Sequence, residues 1–222
     1  MVFVCSDIHG NYEVYMKIVN KLTKNDKLYI IGDVIDRNSD GISILLDIKK
    51  RSNVELLIGN HEWMMLLASM GLEKYASMWL IPQNGGQITC KSMLEYPNDI
   101  ITDLLDWMET LKVYKCLTIN NKRYHLVHGL WSTSLTEDMT VKPNDYAVED
   151  ALWEAPLKGS STQEYIKSDY YIHGHVPVIR FTPFVEPLEF DNIINIDGGL
   201  TYGGGLILYC LDNNSYEVFT NG

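Results

Sequence analysis

Positive charge is scarce in this sequence: 18 Lys and Arg stand against 29 Asp and Glu, a net of -11 over 222 residues. A duplex nucleic acid or an anionic membrane would be repelled at long range, so neither is an expected partner. Cysteine is scarcer still. Cys5, Cys90, Cys116 and Cys210 form no Cys-x-x-Cys pair, and Cys5, Cys116 and Cys210 fall in apolar, strand-like runs. That placement predicts reduced, buried thiols and excludes a disulfide framework or a zinc knuckle. No apolar run approaches the roughly 20 residues that span a bilayer. The opening Met1–Cys5 stretch is too short and uncharged for a signal peptide, so the expected location is cytoplasmic. With 46% hydrophobic and 21% charged residues, the composition is that of a globular chain.

No repeat, linker or low-complexity stretch divides the chain, which predicts one domain over 1–222. The first third repeats one pattern three times: a β-rich run, a polar or glycine turn, then a helical stretch. The runs are Val2–Cys5, Lys27–Ile31 and Val54–Ile58; the helices are expected near Tyr12–Leu22, Gly41–Lys50 and Glu62–Met70. This alternation implies parallel βαβ units, with the polar residues after each strand gathered at one carboxyl edge. A helical segment with a glycine loop at Asn84-Gly85-Gly86 covers about 71–111 and carries no recognisable motif. Its aromatics Tyr75, Trp79 and Tyr96 are read as core. The second half turns to strands, at Val113–Ile119, Tyr124–Val127, Tyr170–Ile172, Ile193–Ile196, Leu206–Leu211 and Tyr216–Phe219. The fold class expected is α/β, two packed sheets flanked by helices.

Six groups able to bind a hard or borderline cation stand at strand ends: Asp7 with His9, Asp33, Asn60, His128 and, in the His173-Gly174-His175 loop, His175. An Asp after a strand is ordinarily a cap or turn residue, but capping does not explain six such groups at successive strand ends. Carboxylate, carboxamide and imidazole together suit manganese, iron or zinc without thiolate. Gly10, Gly32, Gly59, Gly129 and Gly174 beside them are read as permitting sharp turns off a strand.

The blocks Ser6-Asp7-Ile8-His9-Gly10, Gly32-Asp33-Val34-Ile35-Asp36-Arg37 and Gly59-Asn60-His61-Glu62 resemble, in order and placement, the signature of the phosphoprotein phosphatase family of binuclear metallophosphoesterases. Val127-His128-Gly129, Gly174-His175-Val176-Pro177 and Asp197-Gly198-Gly199 extend the resemblance over nearly the whole chain, towards the compact bacterial and bacteriophage branch. The resemblance implies a metallophosphoesterase-like two-sheet sandwich and two divalent ions, manganese first, with iron or zinc as alternatives. It puts Asp7 and His9 on one ion, Asn60, His128 and His175 on the other, and Asp33 between them. A hydroxide shared by the two ions would attack phosphorus in line. His61, oriented by Asp36, corresponds to the general acid, and Arg37 to a phosphate-binding arginine. Asn60 and His61 would also touch the substrate phosphate. His173, where the family has an apolar residue, is read as structural.

Two departures from the family pattern stand out. Asn38 replaces the glycine of Asp-Arg-Gly, and its tolerance of left-handed backbone is expected to preserve the turn. Trp153-Glu154-Ala155 replaces a Trp-x-Arg that would supply a second phosphate clamp, for which Lys158 and Arg180 are the candidate substitutes. The leading expectation is a phosphomonoesterase acting on phosphoserine, phosphothreonine or phosphotyrosine in proteins. The first alternative is a dinucleoside polyphosphate hydrolase, a branch that usually lacks the Asp-Arg pair present here at Asp36-Arg37. The second is a non-catalytic metal or phosphate-binding module. A phosphorylated protein or a small phosphoester is therefore the expected partner, and the oligomeric state is left open.

Overall fold

The computed structural model describes residues 1–156 and 165–221. The first sheet has the order β10-β9-β1-β2-β3, formed by β1 (Val2–Cys5), β2 (Lys27–Ile31), β3 (Val54–Leu57), β9 (Leu206–Cys210) and β10 (Ser215–Phe219). Its strands β1, β2 and β3 are parallel, with Val4 opposite Tyr29 and Ile30 opposite Leu56. β9 joins β1 antiparallel and β10 closes the edge. The second sheet, in the order β4-β5-β6-β8-β7, contains β4 (Tyr114–Ile119), β5 (Lys122–Val127), β6 (Asp169–His173), β7 (Leu188–Phe190) and β8 (Ile193–Asn195). Here β5, β6 and β8 are parallel, flanked by antiparallel β4 and β7.

Period-two alternation builds the layers. Val4, Tyr29, Ile31 and Leu57 turn inward and meet Tyr124, Leu126, Ile172 and Ile194 of the second sheet. Phe3, Cys5, Leu28, Ile30 and Leu56 turn the other way, onto helices. Each fully buried aliphatic side chain in these layers contributes roughly 1.5–3 kcal/mol. α1 (Tyr12–Lys21) starts where the Asn11 side chain accepts from Val14 N at 3.1 Å, and it buries Val14, Tyr15, Ile18 and Val19 at helical spacing. α2 (Gly41–Lys50) follows β2, and α3 (Asn60–Ser69) follows β3. α3 begins at Asn60, two residues earlier than expected, because the Glu62 carboxylate accepts from the Gly59 N–H at 2.9 Å and caps the first turn. The middle segment is helical as read: α4 (Glu73–Trp79), α5 (Gly86–Met93) and α6 (Asn98–Met108). The sequence reading missed α7 (Tyr146–Trp153) and the short edge strand β7, although Asp145 caps α7 and Val148, Ala151 and Leu152 lie on its buried face. All four cysteines are free; Cys5 and Cys210 are buried, and Cys116 is only half-buried because β4 lies at the sheet edge. No helix among the described residues is long and apolar enough to cross a membrane.

Candidate metal centre

The carboxyl ends of β1, β2 and β3 in one sheet and of β5 and β6 in the other deliver their polar residues to one place. Asp33 lies at its middle: its Oδ2 is 3.4 Å from His128 Nε2, 3.7 Å from His9 Nε2 and 3.7 Å from His61 Nε2. Two groupings with the spacing of metal ligands share this carboxylate, His9–Asp33–His61 and Asp33–His128–His175. Asn60 belongs to the second grouping by contact, its Oδ1 lying 2.9 Å from His128 Nε2 and 3.0 Å from His175 Nδ1. Asp7 sits beside the first, with Oδ1 3.8 Å from His9 Nε2, while its Oδ2 accepts from the Ser6 hydroxyl at 2.5 Å and the His175 N–H at 3.1 Å. All of these residues but His175 are buried to within a few per cent.

The backbone carries strain at this place. Among the described residues, eleven other than glycine have positive φ, and six of them are Asp7, His9, Asp33, Asp36, Arg37 and His175. The other five are Asn or Asp, the types that tolerate this region in turns. Asn38 is not among them. The expectation that Asn38 preserves the turn by adopting left-handed backbone is therefore corrected: Asp36 and Arg37 take that conformation, and Asn38 donates its amide to the His9 carbonyl at 2.7 Å. Two glycines are needed for room, not for a turn. A Cβ at Gly59 would strike Asp33, and one at Gly174 would strike Ser6 and Asp7.

The donor set fits cations. His9 directs Nδ1–H to the Ile35 carbonyl at 3.0 Å, which leaves Nε2 a lone-pair acceptor, and that buried nitrogen has no hydrogen-bond partner. His128 faces oxygen acceptors on both sides, the Ile31 carbonyl at 2.8 Å and Asn60 Oδ1. Such a ring needs either a second proton or a positive ion beside Nε2. Burial alone would lower its pKa, but Asp33 overrides this and raises it to about 10. Burial holds His9 well below its ordinary value and pushes His175 down to about 3, so both offer neutral nitrogens. Burial also raises the carboxyls of Asp7, Asp197 and Glu62, the last to about 7. Asp33, by contrast, is held well below the usual range, because His128 and His61 outweigh its burial. So many buried carboxyl groups in one place call for positive charge between them.

His61 has the Asp36 carboxylate 2.7 Å from Nδ1, and Arg37 Nη2 lies 3.4 Å from Nε2. Burial would lower the His61 pKa, and Asp33 and Asp36 outweigh it to leave the pKa raised. Asp36 is held in turn by groups the sequence reading left without a role. Trp79 Nε1 donates to it at 2.9 Å and Thr89 Oγ1 at 2.5 Å, both from the middle helices. Trp79 and Tyr75 are core residues, as expected, but Trp79 also anchors this aspartate. Glu62 accepts from the N–H groups of Asp33, Val34, Ile35 and Gly59 at 2.8–3.1 Å, clamping the loop after β2 to the start of α3. A Glu three residues past the helix cap was the signal for Glu62; Trp79 and Thr89 left none. His173 is buried, donates Nδ1–H to the Gly174 carbonyl at 3.0 Å, and belongs to neither grouping. Ala155 lies on the wall of a cavity of about 460 Å³ with Pro156, His173, Val176, Phe181 and Phe190. Lys158 falls outside the described residues. Arg180 lies over the Tyr202 ring, 5.8 Å from its centroid.

The family model of calcineurin-like phosphoesterases matches residues 1–180, and the chain belongs to that family of metal-dependent phosphoric ester hydrolases. Serine/threonine-protein phosphatase 1 of Salmonella typhimurium is 27% identical over 215 residues, which cover 93% of this chain and 90% of that protein. The symmetrical bis(5'-nucleosyl)-tetraphosphatase of Nitrosospira multiformis is 25% identical over 174 residues, covering 76% of this chain but only 55% of the relative. A serine/threonine phosphatase of Saccharomyces cerevisiae shares the fold with a TM-score of 0.65 at 18% identity, over 100% of this chain and 80% of that one.

Proposed function

We propose that the protein is a phosphomonoesterase that uses two manganese ions and acts on phosphorylated side chains of proteins. The observation that carries this reading is Asp33, a single carboxylate with His9 on one side, His128 and His175 on the other, and His61, which Asp36 engages through Nδ1, directly beside it. Asp7 and His9 would hold one ion, Asn60, His128 and His175 the other, and Asp33 both. When bound, two such ions polarise phosphoryl oxygens and bring the pKa of water towards neutrality. Arg37 turns its planar fork to the phosphate dianion, which fixes the ester for in-line displacement. Turning to the phosphate takes the Arg37 Nη2 donor off His61 Nε2, which it faces at 3.4 Å, and frees that nitrogen to carry a proton. As water attacks phosphorus and the ester P–O bond breaks, the protonated ring gives the Nε2 proton to the leaving alkoxide oxygen. Asp36 keeps Nδ1–H in place, and Trp79 and Thr89 keep Asp36 in place.

The phosphoprotein reading draws on the Salmonella phosphatase, whose length this chain covers almost fully, whereas it covers little more than half of the tetraphosphatase. The intact Asp36-Arg37 pair points the same way. The deciding experiment is an activity panel with added manganese: p-nitrophenyl phosphate, phosphoserine, phosphothreonine and phosphotyrosine peptides, diadenosine tetraphosphate and a bis-aryl phosphodiester. Highest kcat/KM on a phosphopeptide is expected. A preference for diadenosine tetraphosphate would replace the reading with the polyphosphate one, and no turnover on any of them would leave a metal or phosphate-binding module.

A further inference from the structure

The sequence contains four arginines, and they divide into two kinds. Arg51 pairs with Asp47 at 2.5 Å and Arg123 with Asp169 at 3.6 Å. Arg37 and Arg180 pair with no carboxylate among the described residues, although the chain carries 29 acidic side chains. Both lie against the same ring: the Arg37 and Arg180 guanidinium carbons are 5.1 Å and 5.8 Å from the Tyr202 centroid. Laid end to end, those distances put the two cations no more than about 11 Å apart. Two like charges are thus brought near one ring, and no carboxylate among the described residues pairs with either.

The manner of holding matters. A ring face fixes a guanidinium through its charge and consumes none of its five N–H donors. Arg180 is exposed and its side chain donates to none of the described residues; Arg37 spends one donor on Thr201 Oγ1 at 3.2 Å, reaches His61 with another, and keeps a buried Nε without a partner among the described residues. Beside Arg37 and Tyr202 opens a cavity of about 390 Å³, with Asn11, Asn38, Gln83 and Thr201 also in its wall; Arg180 stands outside that wall and reaches it through the Tyr202 ring. No carboxylate among the described residues lines it, so an anionic substrate meets amides, hydroxyls and arginine there. Arg37 reaches His61 directly, whereas Arg180 meets the site only by way of Tyr202, one ring further out.

We infer that Tyr202 and Arg180 form a second anion subsite, which takes a further phosphate carried by the substrate next to the one being hydrolysed. This rests on the phosphoesterase reading and adds to it a preference for substrates with two neighbouring phosphates. Such a phosphate has two chemical sources, the next unit of a polyphosphate chain or a second phosphorylated residue in the same peptide.

The test compares wild type with Arg180→Gln and Arg180→Lys at one fixed free manganese concentration. Calorimetric binding of inorganic tripolyphosphate and of orthophosphate is read first, since it requires no turnover. The expected result is a loss of about tenfold in the tripolyphosphate-to-orthophosphate affinity ratio for Arg180→Gln, with part of the ratio restored by Arg180→Lys. An unchanged ratio overturns the subsite whether or not the enzyme turns over, and absence of turnover on every substrate overturns only the phosphoesterase reading. Kinetics then identify the source. A wild-type preference for diadenosine tetraphosphate over p-nitrophenyl phosphate that Arg180→Gln erases assigns the subsite to a polyphosphate chain. A preference for doubly over singly phosphorylated peptide, erased likewise, assigns it to a neighbouring phosphoresidue. No preference in either arm overturns the inference.

Discussion

His9 and His125 are each 2% exposed, and each ring nitrogen of both faces a polar neighbourhood, yet the two rings end differently. The Tyr114 hydroxyl lies 2.6 Å from His125 Nδ1, and the Asp169 carboxylate 3.0 Å from Nε2. One neutral tautomer satisfies every group: Tyr114 donates, His125 accepts and passes its own N–H to Asp169. Stacking on Tyr171, 4.6 Å away and 10° from parallel, completes a closed structural unit. His9 is satisfied on one side only, and its second nitrogen faces carboxylates 3.7 and 3.8 Å away with no hydrogen between them. Burial lowers the pKa of both rings. The lesson is that burial does not separate a site histidine from a structural one; the unfinished nitrogen does.

The largest expected effect breaks the open cluster as a whole. Removing metal with a chelator should abolish phosphate ester hydrolysis, manganese should restore it, and elemental analysis should count two ions per chain. Asp33→Asn should empty both positions together, whereas His9→Ala should weaken mainly one. Full turnover in protein shown to be free of metal would end the reading.

Next comes His61→Asn, expected to lower kcat by roughly 10²- to 10⁴-fold while leaving metal content nearly intact. The loss should shrink for p-nitrophenyl phosphate, whose leaving group needs little protonation. Equal losses for alkyl and activated aryl esters would make His61 a positioning residue. Asp36→Asn should act more mildly and through pH. Because Asp36 helps to hold the His61 pKa up, its neutralisation lowers that pKa, and the alkaline limb of the kcat profile should move to lower pH. A pH profile of constant shape would break the link between the two side chains.

The smallest effect on activity sharpens the contrast from the closed side. His125→Leu should leave kcat within about twofold and cost about 1–3 kcal/mol of stability, since it strips partners from buried Tyr114 and Asp169. Denaturant unfolding measures the cost. The wild type should also lose stability as pH falls through the ordinary histidine range, because a His whose folded pKa is lowered takes up its proton more readily when unfolded. The difference between wild type and His125→Leu should narrow over that window. A variant that folds normally but fails to turn over would move His125 into the site.

By itself, the sequence determined the three strand–turn–helix units, the carboxyl edge on which Asp7, His9, Asp33 and Asn60 collect, and the hard-donor chemistry of the ligands. Those features are local: alternation, helical spacing and turn residues act over a few positions and are written there. Glu62 was also within reach, as the carboxylate one turn into a helix. Only the tertiary structure decided what holds Asp36, since Trp79 and Thr89 lie 43 and 53 residues away. It likewise decided that Arg37 meets Thr201 across 164 residues and shares Tyr202 with Arg180. Nor did any local signal mark the left-handed backbone of His9, Arg37 and His175, which the chain adopts where packing around it overrides the conformational preference of the residue. Hydrogen bonds and ring contacts between distant segments depend on which faces the packed sheets and helices bring together, and that is a property of the assembled fold.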